Sequence, residues 1–216
     1  MPARTTSARR ASTPALQPFN WETLAQFKGE GRFLDGYPDD FRTFWSPRDR
    51  VHDLLKSLLS SAQHSIVLNM FGYDDAELDA IIRGKLASTT VYVQMSLDKS
   101  QSKSSKTEQA ILKAWSNDAL GNSIAIGTSA VKSAISHLKI VIVDGVYTVR
   151  GSTNWSISGE TQQDNELTLS RNAVIAAETR AVLDLNHDWM LKQMAKQPHA
   201  PSRATQKTAS KRRTRR

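Results

Sequence analysis

The apolar positions of the chain change their period several times between residues 44 and 191. Val51, Leu54, Leu55, Leu58 and Leu59 recur at three and four residues, which predicts a helix with one buried face, entered from Ser46-Pro47. Residues 64–71 form a short apolar run rich in branched side chains, and this predicts a buried strand. Asp74 and Asp75 then open a second helix through Leu78, Ile81, Ile82 and Leu86, with acids at its positive end. Residues 91–97 read as another strand, and residues 108–115 as a helix burying Ile111, Ala114 and Trp115. Further strands follow at 123–126, 139–143, 147–149 and 165–169. A last helix over 173–190 should bury Val174, Val182, Leu185 and Trp189. Strands separated by helices predict an α/β domain, a mixed β-sheet flanked by helices on both faces. Residues 99–106 are too polar to pack, and there is no internal repeat.

Composition narrows this picture. The 216 residues suffice for one domain with tails. No apolar run approaches the roughly 18 residues a membrane-spanning helix needs. Cysteine is absent, which excludes disulfides, thiolate zinc sites and cysteine nucleophiles. The formal charge of +8 is carried by the ends: residues 1–20 and 192–216 hold 12 of the 29 basic residues and no acid. The middle keeps 17 against 21 acids and is formally at −4. Both ends are Ala/Ser/Thr/Pro- or Lys/Arg-rich and read as disordered. The expected organisation is therefore a basic arm at 1–20, an N-terminal extension at 21–43, a catalytic domain at 44–191 and a basic tail at 192–216. The ending Lys211 to Arg216 suits either a solvated tail or a clamp on a polyanion. The arm resembles a transit peptide in its arginines, but its prolines interrupt a helix and it has no secretory apolar core, so a cytoplasmic location is expected.

One segment carries chemistry. His137, Lys139, Asp144, Gly151, Ser152 and Asn154 form the pattern H-x-K-x4-D-x6-G-S-x-N. Leu138 lies between His137 and Lys139, so in an extended strand the two polar side chains share a face, while Leu138, Ile140 and Ile142 turn to core partners. A turn after the next strand can return a serine hydroxyl and an asparagine amide to that face. Ammonium, hydroxyl and amide groups are donors suited to a tetrahedral phosphate. A neutral imidazole among them is the natural nucleophile in a protein without thiols. The five histidines, at 52, 64, 137, 187 and 199, are scattered, so neither a metal nor another cofactor is expected.

The segment resembles the signature of the phospholipase D superfamily of phosphodiesterases, and most closely its small, single-motif bacterial nuclease branch, where an aromatic and a hydroxyl residue follow, as do Trp155 and Ser156. The likeness extends upstream to residues 62–75 and to the strand ending near Asp98, and covers about residues 44–191. The resemblance implies a phospholipase D/nuclease-like α-β-α sandwich. It also implies that His137 forms a phosphohistidine and that Lys139, Ser152 and Asn154 bind phosphate oxygens. An acid after the motif would orient the histidine; Asp164 and Glu166 are the candidates and Glu166 is favoured, at the head of an apolar strand. Asp144, part of the catalytic signature, is read as fixing its strand rather than touching substrate. The family's second histidine, which protonates the leaving oxygen, is missing here, because no other histidine sits in a His-x-Lys pair. A symmetric homodimer that pairs two copies of His137 would supply it, with coupled titration and a pH optimum near or on the acid side of neutral. Lys99 and Lys103, with Ser100 and Ser102, would either contact a substrate backbone or form a solvated loop; Trp155 would be a buried anchor or a stacking platform. The expected activity is metal-independent hydrolysis of DNA or RNA. The alternatives are a phospholipid-cleaving enzyme and a non-catalytic nucleic-acid-binding module.

Overall fold

The computed structural model describes residues 18–88, 90–103, 106–117 and 123–196, with side chains at all of these but 102, 103 and 117. Most of the basic arm and tail thus lies outside the described residues, as does the side chain of Lys103. Seven strands form one mixed sheet: β1 (Phe41–Ser46), β2 (Ser65–Met70), β3 (Tyr92–Asp98), β4 (Ile124–Gly127), β5 (Lys139–Val143), β6 (Tyr147–Gly151) and β7 (Asn165–Arg171). Their order is β1-β7-β6-β5-β2-β3-β4. The parallel half, β2-β3-β4, is crossed by α2 (Ala76–Ala87) and α3 (Lys106–Asn117), while β5, β6, β7 and β1 run antiparallel. The remaining helices are α1 (Val51–Ser61), the short α4 (Ile157–Thr161) and α5 (Ala173–Ala195). Within residues 99–106, expected not to pack, the described positions hold a 3₁₀ turn, Lys99–Lys103, and the start of α3, with Lys99, Ser100 and Lys106 exposed.

Local chemistry sets the helix ends. Asp75 caps α2 by accepting the amides of Glu77 and Leu78, each at 2.8 Å, and Asn172 caps α5 through the amides of Val174 and Ile175. The α1 face behaves as its spacing predicts, with Val51, Leu54, Leu55, Leu58 and Leu59 fully buried. In α3, Glu108, Ile111, Leu112 and Trp115 are buried and Ala114 is exposed, contrary to expectation.

The two sheet faces are unequal. The main core gathers α1, α2 and α3 over Ile66, Leu68, Met70, Val141, Val143 and Leu169. That is the Lys139 parity of β5, so the principal core lies on the side that carries the lysine. Leu138, Ile140 and Ile142 face the smaller cluster, where Val67, Ala176 and Leu183 meet. On this side α5 covers β2, β3 and β4 more than the antiparallel strands. The expected buried stripe of α5 is also corrected: Val174, Val182 and Leu185 are 78%, 52% and 72% exposed, while Ala176, Leu183, His187 and Met190 turn inward. His187 Nδ1 meets the Ser96 hydroxyl at 2.9 Å, a partner that lets an imidazole occupy a core position.

Residues ahead of the expected domain boundary join the fold. Trp21, Leu24 and Phe27 on a 3₁₀ turn enter the main core, and β1 pairs along its whole length with β7, so residue 43 falls inside a strand.

Candidate active site

The segment before β5 is held from two strands. The Ser136 amide donates to Asp98 Oδ2 at 2.6 Å, and the Ser136 hydroxyl to Asn69 Oδ1 at 3.1 Å. The Phe71 amide donates to the Leu138 carbonyl at 2.8 Å. Asp98 and Asn69 are fully buried at the ends of β3 and β2, so these side chains serve to place residues 136–138. Sequence reasoning did not single them out; the available signal is a polar residue closing each apolar strand.

His137 emerges exposed, and Lys139 is 7% exposed. The Lys139 Nζ lies 3.2 Å from His137 Nε2 and 3.1 Å from the His137 carbonyl, with the Phe71 ring 4.8 Å below it. The Phe71 and His137 rings are 4.5 Å apart. Burial lowers the Lys139 pKa, and among the described residues no carboxylate forms an ion pair with it. A desolvated ammonium without a counterion is an anion site by elementary electrostatics.

His137, Lys139, Arg150, Ser152 and Glu166 line one pocket of about 580 Å³. Two glycines make the arrangement possible. A Cβ on Gly151 would meet the Glu166 carbonyl at 2.1 Å, at a φ of +155°, so only glycine lets β6 pass this close to β7. A Cβ on Gly72 would meet Asn154 Cγ at 2.8 Å. The Ser152 amide donates to the Glu166 carbonyl at 3.0 Å, and its hydroxyl bridges the Glu166 amide and Asn165 Oδ1. Glu166 Oε1 accepts from the Thr168 hydroxyl at 3.0 Å.

His137, Lys139, Ser152 and Glu166 thus border one pocket, Lys139 from the main-core parity of β5 and Glu166 from the opposite parity of β7, that of Thr168 and Arg150. Asn154 packs against Gly72 at the edge of this group, and its Oδ1 is buried without a hydrogen-bond partner. Trp155 is 1% exposed beside Tyr73, which places it as an anchor; its amide donates to the Gly72 carbonyl and its carbonyl accepts from the Asp74 amide. Lys99 follows β3 immediately after Asp98 and is exposed, outside the pocket that holds His137. Asp164 faces another pocket, with Trp45 and Arg48.

Asp144 does not belong to this group. It sits at the other end of β5, about 16 Å of strand away. Its carboxylate accepts the amides of Gln63, His64 and Ser65 at 2.8 to 3.2 Å, and its φ is +53°. Its place in the signature is a turn that ties the entry of β2 to the exit of β5.

One histidine outside the motif has carboxylates close by. His52 Nδ1 lies 2.6 Å from Glu160 Oε2 and 3.1 Å from Asp75 Oδ2, joining α1, α2 and α4 behind the motif loop. Asp75, then Glu160, raise its pKa to about 10, so the imidazolium persists through neutral pH. Burial pushes Glu160 up to about 7, against the pull of His52. Among the described residues these three bring donor atoms within 4.8 Å of one another, close enough for a cation, and the protonated ring supplies that charge.

Comparison with known proteins agrees with this fold. The family model described as cardiolipin synthase, phospholipase D-like domain, matches residues 55–189. A solved phospholipase D family member, Nuc from Salmonella typhimurium, is 21% identical, with 68% of this chain and 93% of that one covered at a TM-score of 0.56. NucT from Helicobacter pylori is 19% identical over 70% of this chain and 95% of its own, at 0.57. A phosphatidylserine synthase from Haemophilus influenzae is 10% identical over 68% of this chain and 38% of its own, at 0.52. No curated protein matches the chain in sequence.

Proposed function

From the premise that this chain belongs to the phospholipase D superfamily of phosphodiesterases, we propose that it is a metal-independent nuclease acting through a phosphohistidine. The observation that carries the reading is Lys139: a nearly buried ammonium, without a carboxylate partner, set 3.2 Å from an exposed imidazole. A phosphodiester drawn to that charge arrives beside the exposed imidazole of His137. One ring nitrogen of neutral His137 attacks phosphorus, the P–O bond to the leaving nucleoside breaks, and the departing oxygen takes a proton. Water then attacks the phosphohistidine, gives up a proton, and releases the second product with His137 restored.

The proton needs a second acid, and a symmetric dimer supplies it from the partner's His137. Exposed apolar residues support such an interface. Val131 and Ile135, 67% and 46% exposed, precede His137 closely in the chain. The Trp189 indole donates to the Ser129 carbonyl, which joins this segment to the exposed Val182 and Leu185 of α5. Burying that patch against its own copy brings the two His137 segments toward one another. The basic ends would add salt-sensitive affinity for a polyanion, with Lys99 and Lys103 beyond β3 reaching a substrate backbone.

The test compares wild type with His137→Ala on plasmid, single-stranded oligonucleotide and phospholipid vesicles, each with EDTA. Nucleic acid cleaved by wild type alone, indifferent to chelator and passing through an acid-labile phosphoenzyme, supports the reading. Activity abolished by EDTA removes the phosphohistidine route, and turnover confined to vesicles transfers the site to phospholipid headgroups, the chemistry of the phosphatidylserine synthase.

A further inference from the structure

Trp45 is 49% exposed, an uncommon position for a residue that is usually highly buried. It lies in β1 directly opposite Glu166 in β7, and Glu166 stands opposite Ser152. Ser152, Glu166 and Trp45 thus form one row across neighbouring strands, which places the tryptophan about 10 Å from the serine at the usual inter-strand spacing. Directly opposite side chains share a sheet face, so Trp45 and the pocket-lining Glu166 point the same way.

Trp45, Ser46, Arg48 and Asp164 line a separate pocket of about 370 Å³. Trp45 and Arg48 also line a second pocket, together with Arg32 and the acids Glu30 and Asp49. Among the described residues Arg32, Arg48 and Arg150 form no ion pair, so guanidinium groups without carboxylate partners there line both the pocket of His137 and those of Trp45. Asp164 adds the opposite charge within the Trp45 pocket. That carboxylate suits an uncharged heterocycle with N–H donors on its edge, and the guanidinium beside it suits a phosphate.

Resting on the nuclease reading above, we propose that Trp45, Arg48 and Asp164 form a subsite for one unpaired nucleobase flanking the cleaved phosphate. The base lies on the exposed indole face, the Arg48 guanidinium meets the adjoining phosphate, and the Asp164 carboxylate accepts from the base edge. A base locked in a duplex presents no free face to the indole, so this subsite favours single-stranded segments.

The experiment measures kcat/KM of the full-length protein and of Trp45→Ala and Trp45→Phe. The substrates are a single-stranded oligonucleotide and the same strand with abasic sites flanking the cleaved bond. On the normal strand Trp45→Ala should lose about 5- to 150-fold, mostly in KM, and Trp45→Phe should lose less. On the abasic strand wild type should fall toward Trp45→Ala, so that their ratio approaches one. Equal loss on both strands, or no loss on either while wild type cleaves normally, overturns the subsite and leaves the nuclease reading in place. A wild type that cleaves neither strand, with phosphodiester turnover found elsewhere, overturns both.

Discussion

Replacing Asp144 separates a structural carboxylate from a chemical one. The side chain takes three consecutive backbone amides at the entry of β2, and it does so from a left-handed turn residue. A buried bond to a charged acceptor is worth about 1.5–3 kcal/mol, but these amides regain water when exposed, so roughly 1 kcal/mol each is appropriate. Asp144→Ala should therefore cost about 2–3 kcal/mol. At about 2–4 °C per kcal/mol for a domain of this size, Tm falls by about 4–12 °C. Asp144→Asn keeps one acceptor oxygen and tolerates the positive φ, so it should lose about half as much. Partial burial works against the Asp144 charge, yet the Ser65, His64 and Gln63 amides hold its pKa below the ordinary value. The stabilisation is thus complete above the unfolded carboxyl's range near pH 4 and disappears as pH falls through the lower folded value. Wild type and Asp144→Ala should then converge in acid. Thermal melts across pH, paired with kcat on a phosphodiester at 25 °C, make the test. Turnover as low as that of His137→Ala at an unchanged Tm would refute the reasoning.

Three other perturbations address the site and its support. Gly72→Ala drives a methyl into Asn154, and kcat should fall about 10- to 100-fold with Tm nearly intact; a mutant melting far below wild type would make the contact a folding matter. His52→Ala leaves Asp75 and Glu160 buried without their cation and should cost about 3–5 kcal/mol in chemical denaturation, the loss expected for breaking a buried pair. In wild type the folded state holds protons on Glu160, raised to about 7, and on His52, raised to about 10, so both groups lower stability as pH rises, first from about 4.5 to 7 and then from 6.5 to 10; an alkaline melt as stable as one at pH 5 contradicts this. Deleting residues 197–216 should weaken nucleic-acid binding and flatten its salt dependence without changing kcat, as read by titration at several salt concentrations.

The helix and strand order was legible because most elements carry a clear period, and the His137–Lys139 adjacency followed from strand parity alone. β1 escaped because Phe41–Ser46 does not alternate: aromatic residues fall on both faces, and Arg42 spends its charge over the Trp21 ring at 5.3 Å. The wrong face of α5 has a similar cause. Its sequence offers two stripes at helical spacing: Val174, Val182 and Leu185 stay outside, while Ala176, Leu183, His187 and Met190 lie inside. Nothing local distinguishes them; the Ser96 hydroxyl, far away in the chain, accommodates the histidine. The His52–Glu160 pair is equally non-local, joining residues on either side of five strands.

The pairing of β1 with β7 also imposes a timetable. A ribosome releases Trp45 early, but its neighbour Glu166 emerges only after five intervening strands have been made. Nascent chains consequently display His137 before the row beside it can be completed, and such distant partners close slowly. Maturation of the centre is thereby postponed until β7 has been made.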